Sequence, residues 1–118
     1  MLFRSNLSPW FFGTAVGALH TVAVSHGEGR FAADRAVAAA LRVRGQIATQ
    51  YVDEVGNPTM EFPYNPNGST WAIEGITSPD GRILGKMGHS ERVGENVAVN
   101  ISGDKDQKIF EAGVKYYS

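Results

Sequence analysis

The chain contains no cysteine. That excludes a disulfide framework, every thiolate metal site, and thiol catalysis by this chain alone. Nor is any stretch apolar for long enough to span a bilayer. No charge of one sign dominates: 12 acidic residues face 11 basic ones, which gives no case for nucleic acid or an anionic membrane as partner. A phosphate-cradling glycine loop of P-loop type is missing. So is the interleaving of basic and aromatic residues that nucleic-acid binders use. The opening Met1-Leu-Phe-Arg-Ser5 loosely imitates a signal peptide, but Asn6, Ser8 and Pro9 interrupt its apolar run. The expectation is a cytoplasmic globular piece.

What the chain has in plenty is glycine, 14 in 118 residues, which points to many tight turns rather than long helices. One domain is the natural count at this length. Trp10, Phe11 and Phe12 are too bulky to leave exposed together, so they should pack on a core or a partner. His20-Thr-Val-Ala-Val-Ser25 is short, β-branched and apolar on both faces, the pattern of an interior strand, with His20 half-buried in it. His26-Gly-Glu-Gly-Arg30 then breaks it sharply. From Asp34 to about Arg42 the pattern is helical: Val37, Ala40 and Leu41 share a face, Asp34 sits at the start and Gly45 is a plausible stop. Gln46 to Val52 reads as the next strand.

Asp53 to Thr70 carries Pro58, Pro63 and Pro66 and is a long connection with no regular element. Ile73 to Thr77 and Arg82 to Met87 flank Ser78-Pro-Asp-Gly81, whose proline and glycine suit a type I turn. This is the clearest hairpin in the chain, and it delivers Met87-Gly88-His89 at the end of its second strand. Near the C-terminus Asp104 and Gln107 resemble a capping box. Ile109, Gly113 and Tyr116 form one helical stripe, with Phe110, Val114 and Tyr117 forming another.

Two constellations could carry chemistry. A His-x-Glu pair on one strand can aim both side chains to the same side, so Glu91 could fix the tautomer of His89 and support the imidazolium that forms when it takes a proton. The same spacing also describes a surface histidine beside a solvated carboxylate. His26-Gly-Glu28-Gly-Arg30 could set backbone N–H groups and a charged pair around a small polar ligand, or be a glycine-rich turn and nothing more. A metal held by His26, Glu28, His89 and Glu91 is a further arrangement, although neither pair has the helical spacing of the metalloprotease motif.

Four stretches in order, Ser25-His-Gly-Glu-Gly-Arg-Phe31, Asn65-Pro-Asn-Gly-Ser69, Ser78-Pro-Asp-Gly-Arg82 and Met87-Gly-His-Ser-Glu-Arg92, resemble the C-terminal part of the class I glutamine amidotransferase domain of phosphoribosylformylglycinamidine (FGAM) synthases. The resemblance runs over nearly the whole chain. It implies an α/β fold: the C-terminal portion of a doubly wound, flavodoxin-like sheet, with a hairpin and a short terminal helix. It implies a Cys–His–Glu triad that hydrolyses glutamine through a glutamyl thioester, with His89 as base and Glu91 as its orienting carboxylate. Bound glutamine would lie against His26, Gly27 and Glu28. Ammonia would pass to a synthetase region that uses ATP and magnesium to amidinate formylglycinamide ribonucleotide in purine biosynthesis. No metal or cofactor is implied for this chain itself.

Two departures from the family stand out. Many relatives have proline where this chain has Ser90, and the nucleophile elbow is missing. On this reading residues 1–118 are a partial amidotransferase domain whose partner is the remainder of an FGAM synthase polypeptide. The isolated chain is expected to be inactive, and to self-associate through an exposed sheet edge. The rival readings are a small metal-dependent hydrolase and a non-catalytic interaction module that docks through Trp10 to Phe12.

Overall fold

The structure is a computed structural model that describes residues 1–4, 8–22, 28–89 and 107–118. Its centre is a four-stranded sheet in the order β1 (Leu2–Phe3), β2 (Ile47–Gln50), β3 (Ile73–Thr77), β4 (Leu84–Lys86). Every pairing in it is antiparallel. Helix α1 (Arg35–Val43) precedes β2, and α2 (Ile109–Tyr117) closes the chain. The expected α/β organisation, hairpin and terminal helix are therefore present. A doubly wound sheet is built on parallel strands, whereas those described here form an antiparallel run.

The ends of α1 follow from its sequence. The Asp34 carboxylate accepts the Val37 N–H at 2.9 Å, satisfying one orphan donor of the first turn. At the other end Gly45 takes φ +69°, its N–H bonds to Arg42 O, and Gln46 N–H bonds to Leu41 O at 2.9 Å. That is the paired closure of a Schellman motif, which a side chain at position 45 would strain. The expected apolar face is only partly covered. Ala38 is the buried residue, while Val37 is 50% exposed.

β2 is buried along its whole length. Gln46, just before the strand, and Gln50, its last residue, add side-chain bonds to the ladder: Gln46 Nε2 donates to Thr77 O and Gln50 Nε2 to Trp71 O, each at 2.8 Å. The hairpin between β3 and β4 forms where the sequence places it. Gly81 N–H bonds to Ser78 O, and Ser78 N–H bonds to Ile83 O. The Asp80 carboxylate accepts from the Ser78 hydroxyl at 2.6 Å and from Arg82 N–H at 3.1 Å. Those two bonds hold its carboxyl below the usual range, the hydroxyl contributing most.

The core packs Phe3, Phe11, Ala48 and Ile109, with Trp10, Ala18 and Leu84 at its margin. Phe3 and Phe11 meet edge to face at 5.0 Å. Two aromatic expectations divide here. Phe11 is buried and Trp10 is half-buried, donating its indole N–H to Arg82 O at 2.9 Å. Phe12 is instead 60% exposed beside Tyr116. The expected strand at His20 is also not seen. Residues 20–22 lie outside any strand, although His20 is half-buried against Phe3, and 23–25 are outside the described residues. Helix α2 begins at Ile109 after Lys108, whose side chain makes no cap bond, and Asp104 is outside the described residues. It docks through Ile109, Ala112 and Gly113, leaving Phe110 and Val114 exposed.

Gly113 lies so close to the Trp10 ring that a Cβ there would overlap it. Gly113→Leu should therefore displace α2, costing about 1–3 kcal/mol by overpacking. Phe110→Ala, on the exposed face, should stay within about 0.5 kcal/mol. Urea denaturation of the two variants checks both values.

Candidate active site

β4 ends at Lys86, and three residues later the chain presents His89, half-buried and directly after the buried Gly88. The sheet brings it there through the hairpin register, which sets Gly75 opposite Lys86 and Thr77 opposite Leu84. One more ladder bond, Met87 N–H to Glu74 O at 3.1 Å, carries the pairing past the strand end.

Beyond that point a side chain takes over. Glu74 is 1% exposed in the middle of β3. One carboxylate oxygen accepts Gly88 N–H at 2.6 Å and lies 3.2 Å from Lys86 Nζ. Its other oxygen accepts the Thr49 hydroxyl from β2. Lys86 Nζ also donates to Gly88 O at 2.7 Å. A buried charge pair survives only when its remaining bonding capacity is met, and removing one partner alone costs about 3–5 kcal/mol. Here Thr49 and Gly88 meet it.

Two glycines make that approach possible. A Cβ on Gly75 would stand 2.6 Å from Thr49 Oγ1, so only glycine lets the hydroxyl pass to Glu74. A Cβ on Gly88 would come within 3.0 Å of Val22 Cγ1 and 3.1 Å of Glu74 Oε1. Both glycines thus serve close packing around one carboxylate.

The second glycine-rich stretch is anchored by the Asn65–Ser69 turn. Asn67 Nδ2 donates to Gly29 O at 2.9 Å. The Ser69 hydroxyl accepts Phe31 N–H at 3.1 Å, and Thr70 N–H bonds to Phe31 O. Buried Asn65 holds the turn itself, donating to Thr59 O and Ser69 O and accepting Ser69 N–H. The two motifs that stood apart in sequence are thereby joined in space. Glu28 is exposed at the start of the described part of this segment.

Of the five expected site residues, the structure describes His89 and Glu28. Glu91, His26 and Gly27 lie outside the described residues. Among the described residues no three His, Asp or Glu side chains cluster as metal ligands. A cavity of about 430 Å³ opens elsewhere, lined by Arg4, Arg42, Gly45, Ile47, Gln50, Pro58 and Trp71. None of the five expected residues lines it.

Residues 1–117 match the family profile of the CobB/CobQ-like glutamine amidotransferase domain. The chain belongs to this family. Among curated proteins, the phosphoribosylformylglycinamidine synthase of Saccharomyces cerevisiae is 44% identical to it over 85 residues. That alignment covers 70% of this chain and 6% of the yeast protein, so the chain spans a small part of that relative's length. No helix among the described residues is long and apolar enough to cross a membrane.

Within this amidotransferase domain, sequence reasoning missed Glu74, Thr49 and Lys86. The available signal was a lone carboxylate inside the apolar run Ile73-Glu-Gly-Ile-Thr77, with a lysine in the strand that pairs with it. A charge in a strand buried on both faces demands a partner.

The same carboxylate reaches Tyr51, whose phenol is pushed up to about 12, first by burial and then by the negative charge of Glu74. The unfolded tyrosine loses its proton near pH 10 while the folded one retains it to about 12. Its contribution to stability is therefore complete below pH 10 and is lost as pH rises to about 12. Phenolate absorbance during an alkaline titration should show one tyrosine ionising late, and Glu74→Gln should shift that step to lower pH.

Proposed function

We propose that this chain is the triad-bearing, C-terminal part of the amidotransferase domain of an FGAM synthase. In this reading His89 is the general base and Glu91 its supporting carboxylate. The observation that carries it is a half-buried histidine, set at a strand end by the hairpin, within a chain that matches the amidotransferase family over residues 1–117. The likeness to the yeast FGAM synthase supports the choice of reaction.

The chemistry needs a sulfur nucleophile, and this chain has no cysteine. The thiol would come from polypeptide outside it. His89 takes the thiol proton as sulfur attacks the glutamine carboxamide carbon. The resulting imidazolium, stabilised by Glu91, returns the proton to the departing nitrogen so that ammonia leaves. Water activated by the same imidazole then cleaves the thioester to glutamate. The segment from His26 through Glu28 would hold the glutamine, with Gly29 and Phe31 behind it pinned by Asn67 and Ser69.

The ammonia would serve an ATP-dependent amidination of formylglycinamide ribonucleotide in a synthetase region of the same cytoplasmic enzyme. ATP and magnesium belong to that region, and no residue of this chain is assigned to them. The exposed Val37, Val43, Phe110 and Val114 support a chain that docks against more polypeptide. Alone it would be inactive and would self-associate through its sheet edge.

The test mixes this chain with a polypeptide that carries the nucleophilic cysteine and measures glutamate release from glutamine. Activity should appear only in the mixture and fall by at least about a thousandfold with His89→Ala. Binding of the two polypeptides without glutamate release would contradict the proposal.

A further inference from the structure

We propose that Glu74 and Lys86 together are a positioning device for His89, gripping both polar groups of Gly88 and so fixing the peptide that carries the imidazole. This deepens the assignment of His89 as general base and rests on it. The argument begins where the ladder stops. Met87 N–H is the last backbone donor that β3 satisfies, through Glu74 O. Gly88 comes next, and glycine has the softest torsions of any residue. Left to itself, it would let the following residue swing.

Two oppositely charged side chains prevent that. The carboxylate of Glu74 takes the Gly88 N–H at 2.6 Å, and the ammonium of Lys86 takes the Gly88 carbonyl at 2.7 Å. That carbonyl belongs to the peptide bond that joins Gly88 to His89, so holding it sets the plane from which the His89 Cα departs. The two clamps are tied to each other at 3.2 Å and to β2 through Thr49. Charge-assisted bonds are the shortest and most directional available for this purpose.

A purely structural role does not explain the choice of residues. A buried ion pair is often no more stabilising than apolar side chains of the same volume. What an apolar pair cannot do is bond to both ends of one residue. The direction of a general base matters steeply, since a misplacement of about 1 Å can cost about a hundredfold in rate. Neither Glu74 nor Lys86 need touch substrate for this, and both act through Gly88.

The test has two arms. In the first, this chain is labelled and the ring resonances of His89 and His20 are followed by NMR in Lys86→Met, Lys86→Arg and Glu74→Gln. Loss of the clamp should move or broaden the His89 ring signals in Lys86→Met while those of His20 stay in place, and Lys86→Arg should restore them. Should either Lys86→Met or Glu74→Gln fail to fold, the other decides this arm, with Lys86→Arg as the control. In the second arm, the same variants enter the mixture with the cysteine-bearing polypeptide. Lys86→Met should lower kcat for glutamine hydrolysis by roughly tenfold to a hundredfold, with KM for glutamine changed by less than about twofold. Folded Lys86→Met with unmoved His89 signals and an unchanged kcat would overturn the proposal. Full activity in His89→Ala would instead sink the assignment of the base, and the ring signals would still report whether the clamp exists.

Discussion

The carboxylate of Glu74 is the point on which this structure turns. It sits in a strand interior, where an ionised group is costly unless every lone pair is used. The surrounding residues read as the consequences of placing it there. Gly75 lacks a side chain so that the Thr49 hydroxyl can reach across from β2. Lys86 supplies the opposite charge from the facing strand. Gly88 comes close enough to donate its N–H because it too lacks a side chain. One buried charge thus accounts for two glycines, a threonine and a lysine. It also explains why three strands end in a fixed relation to the residue that follows, His89.

The amidotransferase chemistry proposed for this chain, with His89 as the base, depends on that relation. A histidine that removes a thiol proton must meet a sulfur delivered from elsewhere, so its position cannot be set by the nucleophile's own turn. It has to be fixed from behind. The antiparallel hairpin does this coarsely, through register, and the Glu74–Lys86 pair does it finely, at the last residue before the imidazole. The turn at Asn65–Ser69 plays the corresponding part for the glycine-rich segment, tying Gly29 and Phe31 to a scaffold built on buried Asn65. Gly88 on one side, and Gly29 and Phe31 on the other, are each anchored by polar side chains from a neighbouring segment.

The sequence shows some of this and conceals the rest for identifiable reasons. Helix α1 was legible because capping is local: Asp34 and Gly45 act within a few residues of themselves. The hairpin was legible because Pro79 and Gly81 dictate a turn whose geometry sets its own register. His89 followed from the hairpin. Glu74 was not legible, because its partners come from positions 49, 86 and 88, and only pairing of three strands brings them together. The strand expected from His20 does not appear at residues 20–22, because β-branched composition fits any half-buried extended segment; the His20 N–H bonds to Met1 O at 3.0 Å and its carbonyl accepts from the Met1 amino group, outside any named strand. The apolar stripes of α2 were visible, but periodicity cannot say which stripe faces inward. Trp10 chose the one containing Gly113, since only a residue without a side chain admits the indole.

The most direct measurement is native-state hydrogen exchange at the Gly88 amide, set beside its neighbours. A donor held by a buried carboxylate at the root of His89 should exchange only when the domain unfolds globally, with protection equal to that of the β2 and β3 core amides. Exchange at the rate of an open loop, while β3 stays protected, would show that nothing grips this residue and that the imidazole is not held from behind.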